Sequence, residues 1–346
     1  MMHNTLQRCF RSTVGRACAA LLAITIVVGC DRTAKSSPQV VLYASADAPL
    51  VQQVVDVFKQ KTGINVLLKG DTEAGKTTGL VQRIRAERDR PRADVFWSSE
   101  LFNTIKLARE GLLAEYRPPA EGIPNRYKDP QGRWVAFGAR ARVLAYNTDV
   151  VQPDALPKTW RALADPRWQG KLGVADPRFG TTGGHVAAMY ALWGEPQYIQ
   201  WLTELNKTCR GVWQDGNATA ARRVGRGELT LCATDTDDVY ARRNRGEPVA
   251  MTCPDMGDGG TLLIPNSVAM LAGAPNPEAA KKLIDFLSSP ELERLLALSD
   301  SRNIPVRAAL REALQIEMPP ETKIGFDAIA DAFDQAIRLA GQYVHP

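Results

Sequence analysis

Val40-Val41-Leu42-Tyr43-Ala44 opens the stretch, residues 40–97, whose reading decides the fold. Its length and β-branched content mark a buried strand. Pro49 to Lys61 then carries Leu50, Val54, Val55 and Phe58 at the helical period, and Gly63 stops that helix at its C′ position. Ile64-Asn65-Val66-Leu67-Leu68 is the next strand, Thr77 to Asp89 the next helix, and Ala93-Asp94-Val95-Phe96-Trp97 the third strand. Strands alternating with helices over short connections predict a mostly parallel sheet covered by helices. Such sheets bind ligands at the carboxyl ends of their strands. That rule points to Ala44–Asp47, Gly70–Lys76 and Ser98–Glu100.

The alternation continues downstream. Trp134 to Tyr146 is extended, and Val143 to Tyr146 is a clear strand. Leu172 to Ala175 is a strand, Asp176 to Gly184 a loop rich in Gly and Thr, and Val186 to Leu205 a helix. Gly211-Val212-Trp213 reads as a strand, Ala218 to Val224 as a helix, and Leu229 to Ala233 as a strand running into Thr234-Asp235-Thr236-Asp237-Asp238. Val249–Thr252 and Leu262–Ile264 are short strands. Asn276–Leu287, Pro290–Leu298 and Ile324–Ala340 are amphipathic helices. A chain of 346 residues splits into two lobes, each with its own core. A hydrophobic content of 45% and a charged content of 23% are ordinary for a globular protein.

The N-terminus predicts the compartment. Arg8, Arg11 and Arg16 precede an apolar run from Ala17 to Val28 without an acidic residue between them, the layout of a signal peptide over residues 1–29. The run is shorter than the ~20 apolar residues a spanning helix needs. Val27-Val28-Gly29-Cys30 resembles the lipobox of bacterial lipoproteins, which implies lipidation of Cys30. Asp31 resembles an inner-membrane retention signal, and residues 30–37 form a polar tether. Cleavage removes three arginines and no acid, so the net charge falls from +5 to +2, which gives no case for nucleic acid.

Gly70-Asp71-Thr72-Glu73-Ala74-Gly75-Lys76-Thr77 satisfies the phosphate-loop pattern, after a strand and before a helix. We reject that match. Asp71 and Glu73 put carboxylates where phosphate oxygens would sit, and the compartment is poor in ATP. Glu73 remains a candidate ligand residue of a cleft. Cys209, Cys232 and Cys253 allow one disulfide, first Cys209–Cys232 and second Cys232–Cys253. No CxxC occurs, and His185 reads as packed rather than ligating, so no zinc site of the usual kind is expected. Trp97 and Trp213 read equally well as cleft wall or core.

Val41-Leu-Tyr-Ala-Ser45, Phe58 through Gly63 to Val66, Ala93 to Trp97, Gly111-Leu-Leu, Arg140-Ala-Arg142-Val-Leu-Ala-Tyr146 and Pro166-Arg-Trp168-Gln-Gly-Lys171 together resemble the ferric-iron-type solute-binding proteins of ABC importers. The resemblance implies two α/β lobes joined by hinge strands, a periplasmic binding protein-like fold with ligand in the cleft. The hinges fall near Gly138–Leu144 and Thr261–Ala269. Lobe 1 takes residues 38–140 and 265–305, and lobe 2 takes 141–264 and 306–346. The resemblance also implies Fe³⁺ as the transported ligand, with Asp47, Glu100 and Asp237 at the metal-ligand positions and no resident cofactor. The adjacent tyrosine pair of ferric-binding members is replaced by Thr236-Asp237. Thr182-Gly183-Gly184, Asn217 and Thr234 fall on anion-contacting positions, and a helix start favours anions. Arg140 and Arg142 sit at the hinge, and one of them can pair bidentately with a carboxylate or phosphate. Asp235 and Asp238 join the acids of the cleft, or else cap a helix. Carboxylates this dense require a cation.

The sequence therefore predicts a binding protein, not an enzyme. It acts as a monomer, held in the periplasm by its lipid, and passes its ligand to an ABC permease. An organophosphate or aminophosphonate is the alternative ligand.

Overall fold

The computed structural model describes residues 38–70 and 76–344. The signal peptide, Cys30, Asp31, the tether and Glu73 lie outside the described residues. Eight strands form one sheet: β1 (Gln39–Ala44), β2 (Asn65–Lys69), β3 (Val95–Ser98), β4 (Val135–Asn147), β5 (Leu172–Val174), β6 (Leu231–Asp235), β7 (Val249–Thr252) and β8 (Leu263–Met270). The helices are α1 (Ala48–Thr62), α2 (Lys76–Ala86), α3 (Phe102–Arg109), α4 (Gly180–Trp193), α5 (Glu195–Thr208), α6 (Asn217–Gly225), α7 (Thr236–Arg243), α8 (Pro277–Leu287), α9 (Pro290–Leu298), α10 (Ala308–Leu314) and α11 (Phe326–Val344).

The strand order is β2-β1-β3-β8-β4-β6-β5, with β7 beside β4. β1 pairs in parallel with β2 and β3, and β5 with β6. The expectation of a mostly parallel sheet needs correction, because β4 and β8 are antiparallel to every neighbour. The reason is that these two strands run between the halves of the sheet. Over Val135–Ala141, β4 pairs with β8; over Arg142–Asn147 it pairs with β6 and β7. A bulge at Gly138, which has φ 44°, shifts the register within the β4–β8 pairing, before the strand changes partners at Arg142. β4 is buried along almost its whole length, so its pattern is continuous rather than alternating.

Three local expectations change. The helix anticipated over 186–205 is two helices, α4 and α5, because Gly194 leaves the helical region at φ 75° and Pro196 restarts it. Gly211–Trp213 is a turn and loop, not a strand; its backbone is spent on closing α5. Cys209 sits at the C-cap of α5 and Cys232 within β6, and all three cysteines of residues 38–344 are free thiols, so neither anticipated disulfide forms. Trp97 is core: it is fully buried, with its indole N–H donated to Asn266 Oδ1 at 3.2 Å. No described helix is long and apolar enough to cross a membrane.

Candidate functional site

Four helices begin around one pocket. Asp47 precedes α1, Phe179 precedes α4, Gly216 precedes α6 and Asp235 precedes α7. The pocket has a volume of about 60 Å³. Asp47, Arg140, Thr182, Asn217, Asp235 and Asp237 all line it. The first turns of α4 and α6 present backbone N–H groups that no earlier turn of the helix can bind. Helix dipoles add partial positive charge at the same ends.

Hydrogen bonds tie the α4 and α6 side together. Thr182 Oγ1 donates to Asn217 Oδ1 at 3.0 Å. Asn217 Nδ2 donates to Thr181 Oγ1 at 2.8 Å and to Asp235 Oδ2 at 3.2 Å. Thr181 Oγ1 donates to Asp235 Oδ2 at 2.5 Å. The other oxygen of Asp235 accepts from Arg142 Nη1 at 2.8 Å. Both partners of that pair are buried, their side chains 4% and 0% exposed. Burial works against the Asp235 carboxylate, but Arg142 and Arg140 outweigh it and its pKa is lowered. Arg142 Nε also donates to His185 Nδ1 at 3.3 Å. Burial and then Arg142 push His185 well below its ordinary pKa, so it stays neutral, with its ring edge-on to Trp160.

The α1 and α7 side is built of charge. Carboxylate oxygens of Asp235, Asp237 and Asp238 all lie within 4.8 Å of one another. Asp238 Oδ2 accepts from Thr234 Oγ1 at 2.6 Å. Burial, followed by Asp237 and Asp235, pushes the Asp238 carboxyl up to about 8 against that bond. Arg140 Nη1 reaches Asp237 Oδ2 at 3.5 Å, and its Nη2 donates to the Ser99 carbonyl. Burial works against its charge, yet Asp237, Asp235, Asp47 and Asp238 together raise its pKa. Its Nε is buried without a partner among the described residues.

Several anticipated residues sit elsewhere. Glu100 is fully buried and turned into the start of α3, accepting from Phe102 N at 2.7 Å, Asn103 N at 3.2 Å and Asn103 Nδ2 at 2.9 Å. Burial raises its pKa, with those bonds opposing. Gly183 and Gly184 are packing residues inside α4. A Cβ at Gly183 would stand 3.2 Å from Ile337 Cδ1, and one at Gly184 would run into the Phe102 ring. Thr234 is buried beneath the pocket. Thr181 and Arg142 are the residues that sequence reasoning underused; the Thr-Thr-Gly-Gly run and the Arg140-Ala-Arg142 repeat were their signals. Thr77 Oγ1 donates to Ser45 Oγ at 3.0 Å, and Ser45 Oγ donates on to Ser99 Oγ at 3.2 Å.

This architecture, two α/β lobes joined by β4 and β8 with a ligand cleft between them, is the periplasmic-binding-protein fold. Residues 91–329 match the family of bacterial extracellular solute-binding proteins, and the chain belongs to that family. It is 30% identical over 291 residues to the major ferric iron-binding protein of Neisseria meningitidis serogroup A, spanning 80% of this chain and 82% of that one. It is 29% identical over 262 residues to a putative 2-aminoethylphosphonate-binding periplasmic protein of Salmonella typhimurium, spanning 73% of each. Among solved structures, iron-bound HitA from Pseudomonas aeruginosa aligns with a TM-score of 0.77 at 26% identity, covering 89% of this chain and 100% of that one.

Proposed function

We propose that this chain is an extracytoplasmic solute-binding protein that carries ferric iron with a companion anion to an ABC permease. The observation that carries this reading is the convergence of the Asp235, Asp237 and Asp238 carboxylates beside the open N-termini of α4 and α6. Carboxylate oxygens suit a hard cation, and helix N-termini suit its anion. Asp47 and Asp237 offer the metal oxygens, with Asp238 joining as its proton is displaced. Glu100 would have to surrender its cap on α3 to take part. Thr182, Asn217 and the backbone of α4 hold the anion. Titration of Fe³⁺ with and without phosphate, followed by calorimetry, tests this reading; a protein that ignores iron under both conditions overturns it.

A second reading has its own support. Among the described residues no tyrosine lines the pocket, whereas Arg140 brings a guanidinium to the same space as two helix N-termini. That set favours an organophosphate or aminophosphonate. Under it, the acids receive an ammonium or hydroxyl groups, and binding requires no metal.

The chain does not act as an enzyme in this reading. The Thr77 hydroxyl, which a phosphate loop would turn to a metal ion, is committed to Ser45. The protein works as a monomer, anchored through a lipid on Cys30 to the inner membrane. Lobe 1 spans 38–140 and 265–305; lobe 2 spans 141–264 and 306–346, with α11 packed on α4 and α5 and also on α3 of lobe 1. Closure of the lobes around the ligand produces the form the permease reads. Cys30→Ser is expected to abolish lipidation, and acyl groups found on that variant by mass spectrometry would refute the anchor.

A further inference from the structure

The lobes meet at a second place besides the hinge strands. In the division proposed above, α3 belongs to lobe 1 while α4 and α11 belong to lobe 2, and α11 packs on both α3 and α4. Phe102, the first residue of α3, is fully buried at that junction. Its ring lies against Gly184 of α4, so close that an added Cβ would run into it. Phe326 and Phe333 of α11 flank the same ring, each with its centroid 6.3 Å away. A side chain of lobe 1 is thus seated in a notch of lobe 2 that a residue without a Cβ leaves open.

Charge borders the same contact. Arg109 of α3 reaches Asp327 at 2.8 Å and Asp331 at 2.7 Å, and Lys106 pairs with Asp334. The three aspartates are well exposed. Exposed pairs contribute little singly and are screened by salt. The buried rings therefore carry the contact, through apolar surface removed from water.

Glu100 fixes the ring from behind. Its Oε2 accepts from the Phe102 N–H at 2.7 Å and from the Asn103 N–H at 3.2 Å, groups that the first turn of a helix otherwise leaves unpaired. Its Oε1 accepts from Asn103 Nδ2 at 2.9 Å. Both carboxylate oxygens are thus engaged within lobe 1, and Glu100 is not among the residues lining the 60 Å³ pocket. On the other side of the ring, Gly184 lies two positions after Thr182, whose hydroxyl belongs to the α4 and α6 wall. Displacement of Phe102 is therefore felt in the first turn of α4.

Resting on the binding function proposed above, we infer that Glu100 and Phe102 are positioning residues for ligand capture: Glu100 sets Phe102, and Phe102 in its notch holds lobe 1 closed on the α4 wall. Glu100 acts without touching the ligand. Seating the ring stabilises the closed pair of lobes and so slows ligand release. Unseating it lowers the closed fraction, and apparent affinity falls in proportion.

Stopped-flow release and calorimetry test this with three probes: Fe³⁺ with inorganic phosphate, 2-aminoethylphosphonate, and a hexose phosphate. Gly184→Ala drives a Cβ into the ring, although alanine is the better helix former. It is expected to raise the dissociation rate of whichever probe binds by about tenfold or more, with the association rate nearly unchanged. Adding Phe102→Leu to that variant makes room again and recovers most of the loss. Glu100→Ala speeds release likewise, whereas Glu100→Gln keeps an acceptor for the α3 N–H groups and stays within about threefold of the parent. Ligand-free Gly184→Ala shows a larger radius of gyration by small-angle scattering, and thermal melting shows that each variant folds. If Glu100→Gln loses Fe³⁺ as fully as Glu100→Ala while Gly184→Ala releases it at the parent rate, Glu100 is a ligand and the ring is inert packing. The inference then falls and the proposed function stands. If the parent binds none of the probes, the proposed function falls, and an unchanged radius of gyration in Gly184→Ala overturns the inference separately.

Discussion

The two walls of the pocket are made by opposite means. On the α4 and α6 wall, Thr181, Thr182 and Asn217 bond to one another and to a buried ion pair, Arg142 with Asp235. The side chains of that wall are bonded to one another, while the helix N-termini behind them stay open. On the α1 and α7 wall, Asp237 and Asp238 crowd Asp235, and burial first and that crowding second hold the Asp238 proton up to about 8. On that wall Arg140 pairs with Asp237 at 3.5 Å, and a cation or a set of hydroxyl donors relieves the crowding that remains. Asp235 belongs to both walls by position but to the first by its bonds. The same residue type thus organises the site in one place and receives ligand in another: Asp235 is held at 2.8 Å by the fully buried Arg142, whereas Asp237 meets Arg140 only at 3.5 Å.

The largest effect that tests this contrast is on stability. Asp235→Ala leaves Arg142 charged, buried and unpaired, and removal of one member of a buried pair costs ~3–5 kcal/mol. Urea unfolding of the ligand-free protein is expected to show a loss of that order. Asp237→Ala should leave stability nearly unchanged. Equal losses for the two variants would erase the distinction between the walls.

Binding gives the next effect. If iron is the ligand, Asp237→Ala abolishes binding while Thr182→Ala only weakens it, because the metal supplies most of the attraction for the anion. If an organic anion binds alone, Thr182→Ala and Arg140→Ala dominate, each removing donors to a buried anion at ~1.5–3 kcal/mol. Calorimetry on the three variants reads the order directly.

A smaller effect is the pH dependence of Asp238. Its carboxyl is raised on folding to about 8, so the folded state holds the proton more tightly than the unfolded state does. The sign follows: this contribution is present at low pH and is lost as pH rises from the ordinary carboxylate range toward about 8. Melting of the ligand-free protein should therefore fall between ~pH 4 and ~pH 8 and level off above, and Asp238→Asn should flatten part of that slope. Affinity for a cation runs the other way, since the cation displaces the proton. A slope that Asp238→Asn leaves untouched would assign the titration to another group.

The smallest expected effect is none. Lys76→Ala should not alter the response to ATP, because the protein should neither bind nor hydrolyse it. An ATP affinity by calorimetry that vanishes in this variant would revive the phosphate loop.

Local signals were legible wherever one period dominated. β1, α1, β2 and α9 begin within two residues of where apolar spacing and Gly63 or Pro290 put them. The cleft was legible as a set of strand ends, and Asp47, Arg140, Thr182, Asn217, Asp235 and Asp237 do meet in one pocket. Other features were hidden. A fully buried strand such as β4 looks the same whether its neighbours run parallel or antiparallel. The cysteine count allowed a disulfide but could not place Cys209 at a helix end and Cys232 inside β6. Glu100 and Asp237 are both acids after a strand, and nothing local shows that one turns inward onto α3 while the other faces the pocket.

The sequence by itself determined the alternation of elements, the two-lobed class and the chemistry available to the cleft, because these follow from local periodicity and from residue type. Tertiary structure alone decided how that chemistry is divided. The pKa and availability of a carboxylate depend on what is buried within a few ångströms of it, and Arg142 reaches Asp235 from 93 positions away in the chain.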